Sequence, residues 1–213
     1  ITIMTGSNYP IRQNIVQSES IASLTYMGNI RCNRFQSLAE IGAMLDEINA
    51  ELSTDYTLRI YTAEKNEEIL KCLEKYSSVK LNEFVAGEEF DEIFHSADML
   101  LHVEAFDEES IDRVKYSVST KIADSLGSGI CLFAYGPACV SSMKHLIEND
   151  CAICAVSKDE LKEKLLLAFR NRELREEKAR NALVTARKYH DQDVMSREFY
   201  SLMEKISESS ANK

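Results

Sequence analysis

Ser119, Thr120 and Lys121 are consecutive, and a single carboxylate, Asp124, follows three residues later. Hydroxyls and an ammonium suit a diphosphate, and a carboxylate suits the diol of a ribose. The surrounding stretch, Lys115 to Gly129 followed by Ile130 to Pro137, reads as a polar loop, a short helix, a tight glycine turn and a buried strand. A helix start on the strand-end side of an α/β sheet is where backbone N–H groups and the helix dipole favour phosphate. The segment therefore reads as a nucleotide site. Arg34 opens another helix; cations are misplaced for the dipole at such starts, which favours an anionic ligand for both Arg34 and Lys121.

Each of these residues also has a plainer reading. Ser119 or Thr120 serves equally as an N-cap, and Asp124 as a solvated residue in a first turn. Gly127 and Gly129 end the helix and allow the turn. Cys151 and Cys154 match C-x2-C, and Cys139 with His145 would extend a metal set, but the spacing on a strand opposes it. The acidic run from Glu104 to Asp112 reads as a solvated loop before it reads as a metal site or a glycosidase pair. His102 reads as a satisfied core residue, and His95, His145 and His190 as surface residues.

The elements that must position these groups follow from hydrophobic periodicity. Leu24–Met27 reads as a strand closed by Gly28-Asn29. Phe35, Leu38, Ile41, Leu45, Ile48 and Leu52 recur at helical spacing from Arg34 to Leu52. Strands are expected at 56–62, 79–85, 99–103, 130–135 and 151–156, with helices at 66–76, 88–97 and 141–148 between them. Ser157 to Glu160 has the capping-box pattern, opening a helix to about Arg170. Two more helices are expected, at about 173–189 and 194–206. Such alternation implies an α/β, Rossmann-like parallel sheet of about six strands with helices on both faces. Residues 1–20 read as a linker or extended arm, 21–207 as the domain, and 208–213 as a polar tail.

That order of elements, with Thr120-Lys-Ile-Ala-Asp-Ser-Leu-Gly-Ser-Gly129 in place, resembles the C-terminal, donor-binding half of GT-B glycosyltransferases, group 1 (family 4-like, retaining). Tyr26-Met-Gly-Asn-Ile30, Leu58-Arg-Ile-Tyr-Thr62 and Val79 to Val85 with Ala97-Asp98 carry the rest of the likeness. The resemblance implies a hexosyltransferase-type enzyme of polysaccharide or glycoconjugate synthesis. In it, Asp124 stands where the family's second acid holds the ribose, Asn29 at its Arg position and Arg34 at its Lys position. Tyr116 stands where the first acid would be. Arg34 and Lys121 would stabilise the leaving diphosphate, with Ser119 and Thr120 beside them and Gly28 and Asn29 at the first strand's end. Tyr61, Thr62, Phe84 and Val85 would frame the base, and Glu104 and Phe106 would border the sugar. No cofactor and no metal is expected. The acceptor-binding N-terminal domain is missing from such a piece, so transfer by this chain alone is not expected. The alternative is a stand-alone nucleotide-binding or interaction domain of the same fold without transferase activity.

Composition sets the outer bounds. The chain has 213 residues, 45% of them hydrophobic and 28% charged, as for a globular domain. Lys and Arg number 25 against 35 Asp and Glu, a net charge of −10 that argues against nucleic acid as partner. The six cysteines sit largely in apolar runs and read as free thiols in a reducing cytoplasm. No apolar run is long enough for a bilayer span, and no basic start precedes an apolar stretch as in a signal peptide. The first residue is Ile1, as in an excised piece. A cytoplasmic enzyme is expected, peripheral membrane association being compatible with its full-length form.

Overall fold

A computed structural model describes the backbone of residues 4–211 and side chains through residue 207. Residues 1–3 of the expected arm and residues 212–213 of the expected tail lie outside the described residues. Six strands form one parallel sheet: β1 (Ser23–Met27), β2 (Thr57–Thr62), β3 (Val79–Glu83), β4 (Leu100–Val103), β5 (Leu132–Tyr135) and β6 (Ile153–Ala155). Their spatial order is β3-β2-β1-β4-β5-β6, every described pairing being parallel. The order reverses between β1 and β4, which opens a crevice at their C-terminal ends.

Nine described helices cover the sheet: α1 (Arg34–Leu52), α2 (Glu67–Glu74), α3 (Glu88–His95), α4 (Glu108–Val114), α5 (Thr120–Gly127), α6 (Ser141–Glu148), α7 (Lys158–Arg170), α8 (Arg172–Tyr189) and α9 (Gln192–Ala211). One apolar layer joins Leu38, Ile41, Leu45 and Ile48 of α1 to Leu73, Leu161 and Leu165 of α2 and α7. The other joins Phe94 of α3, Ile122 and Leu126 of α5, and Met143 and Leu146 of α6. The strands between them, β4 and β5, are buried along their whole length, as strands covered on both faces must be.

Several local expectations change. The acidic stretch is no simple loop: Glu108–Val114 is helical because Asp107 caps it, accepting from the Ser110 N–H, and Glu108 and Glu109 lie in the favourable first turn. The capping box at Ser157 does not close: the Ser157 side chain makes no cap bond, and Glu160 accepts from Val156 N at 3.2 Å. Helix α9 runs on to Ala211, into the expected tail.

The arm is packed rather than free. Ser7 N donates to His190 O (2.8 Å), Arg12 N to Gly127 O (3.0 Å) and Val16 N to Gly129 O (2.7 Å). Buried Arg175 on α8 ties its end down, donating to the carbonyls of Ser18 and Glu19 as well as those of Ala168 and Phe169. Gly129 has φ +74, and a Cβ there would lie 2.7 Å from Asn14 O. That glycine therefore serves the passage of the arm as well as the turn.

Candidate functional site

The crevice between β1 and β4 is a cleft of about 340 Å³, bounded by the end of β1, the end of β4, α3 and the start of α5. Tyr26, Asn29, Arg34, Glu104, Ser119, Thr120, Lys121 and Asp124 all line it. The expected phosphate-binding set is thus brought together, although 87 residues of chain separate Arg34 from Lys121.

Gly28 makes the meeting possible. Its φ is +151, and a Cβ there would overlap the Lys121 ammonium. The missing side chain leaves a notch that Lys121 Nζ fills, 5.9 Å from the centre of the Tyr26 ring. The residue as a whole is exposed, yet desolvation of the ammonium end, with the nearby Arg34 charge, holds its pKa below the usual lysine value. The Lys121 side chain makes no hydrogen bond or ion pair with the described residues. Of the two Lys and Arg side chains lining the main cleft, it is the one left available to an anion.

Arg34 is differently placed. The turn before α1 carries Cys32 and Asn33 at φ 52 and 53, and it delivers Arg34 onto the end of β4. There Nη2 meets Glu104 Oε2 at 2.8 Å, and Nε donates to the same oxygen at 3.0 Å and to Val103 O at 3.2 Å. Glu104 is 3% exposed in its side chain, with His102 Nε2 3.3 Å from its other oxygen. Burial pushes the Glu104 carboxyl up, but His102 and Arg34 outweigh it, and the net shift is downward. The anion-binding charge of Arg34 is therefore largely spent on Glu104. Glu104 lines the cleft as the partner of a cation, placed to orient Arg34.

At the start of α5, Ser119 stands at the N-cap but its side chain makes no cap bond. Its own N–H donates to Ser142 Oγ at 3.1 Å. Asp124, the expected ribose ligand, is already engaged: Oδ1 accepts from Ser7 Oγ (3.0 Å) and Asn8 N (2.6 Å), and Oδ2 from Asn8 Nδ2 (2.9 Å). Next to them Tyr9 stacks on Phe94 at 5.7 Å and donates its hydroxyl to Asp91.

The residues expected to frame a base divide. Phe84, Thr62, Gly28 and Asn29 line a second, adjoining cleft that shares Lys121. Phe84 is 60% exposed there. Val85 does not face a ligand: it is buried among Met27 and Phe94, because β3 ends at Glu83 and the chain turns inward. Tyr61 is half-buried against the same layer. Phe106 packs on Tyr135 at 4.9 Å, outside the lining of the main cleft, and Tyr116 is exposed.

The histidines depart most from expectation. His102 Nε2 is buried without a hydrogen-bond partner, 3.3 Å from Glu104 Oε1. His145 Nε2 and His190 Nε2 lie 2.9 Å apart, and His190 Nδ1 is 2.8 Å from Thr5 O. His190 is buried and His145 half-buried, so neither is the surface residue its sequence context suggests. Burial, then the neighbouring His190, lowers His145 to about 4; burial lowers His190 too. A contact between residues 45 apart leaves no local trace in sequence. The thiols of buried Cys151 and half-buried Cys154 are pushed up to about 12 by desolvation. Among the described residues no three His, Cys, Asp or Glu are grouped to hold a metal ion, and no helix is long and apolar enough to cross a membrane.

A family model described as glycosyl transferase-like matches residues 41–200. No curated protein sequence matches the chain. Among solved structures, the chain is similar to WaaG, a glycosyltransferase involved in lipopolysaccharide biosynthesis, at 16% identity and TM-score 0.62, over 87% of this chain and 51% of that one. It is similar to Anabaena Alr3699/HepE, solved in complex with UDP and glucose, at 12% identity and TM-score 0.65, over 87% and 48%. It is also similar to the C-terminal domain of LpcC, a group 1 glycosyl transferase from Francisella tularensis, at 11% identity and TM-score 0.58, over 89% and 97%. Such identities show the fold alone. The chain spans 51% and 48% of WaaG and HepE, about half of each, and its architecture is that of one half of a GT-B fold.

Proposed function

The chain belongs to the glycosyl transferase-like family, and from that premise we propose that it binds the nucleoside diphosphate part of a nucleotide-sugar donor for a retaining hexosyl transfer. The observation that carries this reading is Lys121: an unpaired ammonium seated in the Gly28 notch, at the strand-order switch, beside an N-cap whose side chain leaves the Thr120 and Lys121 N–H groups uncapped, that of Ile122 being taken by Ser119 O. Charge develops on the leaving diphosphate as the glycosidic bond breaks. A fixed ammonium and oriented N–H groups stabilise that charge, with no metal required of them. Ser119 and Thr120 would add hydroxyl donors, and Asp124 would take the ribose diol. Arg34, aimed by Glu104, would supply the second positive edge. Phe84, Thr62 and Asn29 in the adjoining cleft would border the base or the sugar.

In this reading the acceptor sits on a second domain facing the cleft. The chain alone therefore binds donor without transferring sugar, and the whole enzyme works in the cytoplasm on a polysaccharide or glycoconjugate, with peripheral membrane contact where the acceptor is lipid-linked. Calorimetric titration with UDP, GDP, ADP and CDP tests the reading. Saturable binding of one nucleotide, weakened in Lys121→Ala, is the expected result; absence of binding by all four contradicts it. A second reading, an interaction domain that has kept the fold and lost the ligand, is favoured by the neutralisation of Arg34 by Glu104. It predicts that Lys121→Ala changes no nucleotide affinity because there is none.

A further inference from the structure

Asp124 is held by donors of the chain's own arm, arranged much as a nucleoside would arrange its own. One hydroxyl (Ser7 Oγ) and two N–H groups of Asn8 cover both carboxylate oxygens, at 3.0, 2.6 and 2.9 Å. The next residue, Tyr9, lays its ring against Phe94, which itself stacks on Phe90 at 5.7 Å, and both phenylalanines line the main cleft. A ribose carries two hydroxyl donors beside an aromatic base; Ser7, Asn8 and Tyr9 present the same pairing. The arm is anchored at the start of this contact by Ser7 N on His190 O and beyond it by Arg12 N on Gly127 O. Asn8 itself is exposed, so its contact with Asp124 can break without uncovering a core.

We infer that residues 7–9 of the arm act as a built-in competitor for the donor's nucleoside, occupying Asp124 until a nucleotide displaces them. This rests on the donor-binding reading above and adds its regulation: the affinity seen is the intrinsic affinity reduced by the fraction of molecules whose Asp124 is free. Loosening the arm then tightens nucleotide binding, whereas a merely structural strap would leave affinity unchanged or weaken it.

Two measurements on the 213-residue chain test this. Calorimetry with UDP, GDP, ADP and CDP compares the parent with Asn8→Ala and with Ser7→Ala/Asn8→Ala; the double variant should bind the preferred nucleotide about tenfold more tightly, the single one less so. Hydrogen exchange on the unmodified chain follows the Asn8 amide, which donates to Asp124; it should be protected in the free protein and exchange faster once nucleotide saturates the site. This second readout stands even where the double variant fails to fold. Nucleotide binding with Asn8 still protected, or with affinity unchanged in Asn8→Ala and the folded double variant, overturns the inference and leaves the donor reading intact. No binding of any nucleotide to parent or variants overturns both.

Discussion

Replacing Arg34 by methionine keeps most of its volume and removes the partner of a carboxylate that is 3% exposed. Breaking a buried ion pair from one side costs roughly 3–5 kcal/mol, because the remaining charge stays desolvated. The cleft lets water approach Arg34, which is 18% exposed, and His102 lies 3.3 Å from the other Glu104 oxygen. The lower end, about 3 kcal/mol, is therefore expected. For a chain of this size that lowers the melting temperature by about 6–12 °C. Glu104→Gln keeps the shape and an acceptor for Arg34 and should cost about 1.5 kcal/mol. The double variant Arg34→Met/Glu104→Gln leaves neither charge stranded and should cost about 1–2 kcal/mol, well short of the sum of the single changes. Urea unfolding of the four proteins at pH 7, followed by circular dichroism, gives the cycle. The sign of its pH dependence is fixed as well. Glu104 has a folded pKa below its ordinary 4.5, so its stabilisation is present above that value and is lost as pH falls through the depressed one. The slope should shrink in Arg34→Met. A strictly additive cycle, or an Arg34→Met protein melting within about 2 °C of the parent, would refute the reasoning.

Other outcomes follow from the same geometry. Lys121→Ala should weaken nucleotide binding at least about tenfold, roughly 1.4 kcal/mol, while leaving the urea midpoint nearly unchanged, since no partner is stranded. Gly28→Ala should reproduce that loss of binding by displacing the Lys121 ammonium. It should also destabilise by about 1–3 kcal/mol because φ +151 suits glycine, which thermal melting would record. The His145–His190 contact needs one of its two Nε2 atoms bare, and burial disfavours a charge on either ring. His145 is depressed to about 4 in the folded chain, so the unfolded chain binds its proton first, and stability should fall as pH drops from about 6.5 towards 4. Solvent access to the half-buried ring holds the loss to about 2 kcal/mol, and His145→Asn should remove it in urea titrations at pH 7 and pH 5.

Periodicity made most of the fold legible. The apolar spacing of α1, the run of β4 broken only by His102 and the apolar run of β5 mark buried surfaces whose chemistry is local, and α1 and α6 begin and end where the sequence places them. Helix α4 escaped because its cue is polar: Asp107 caps a segment with too few apolar residues to show a period. The site was legible as a set of residue types, since Lys121, Ser119, Thr120 and Arg34 do converge on one cleft. Their partners were not. Glu104 neutralises Arg34 from 70 residues away, and Ser7 reaches Asp124 across 117. Composition carries no trace of which charge is spent and which is left over. Val85 was misjudged because strand β3 stops two residues earlier than its apolar pattern, turning a rim position into a core one.

The most direct test is an amide-resolved NMR titration of the chain with whichever nucleoside diphosphate binds in calorimetry. A donor-binding cleft at the strand-order switch predicts the largest shift changes at Gly28, Thr120, Lys121 and Ile122, saturating with the calorimetric affinity. Saturating nucleotide that leaves these four amides unmoved, or moves a surface away from β1 and α5, would contradict it.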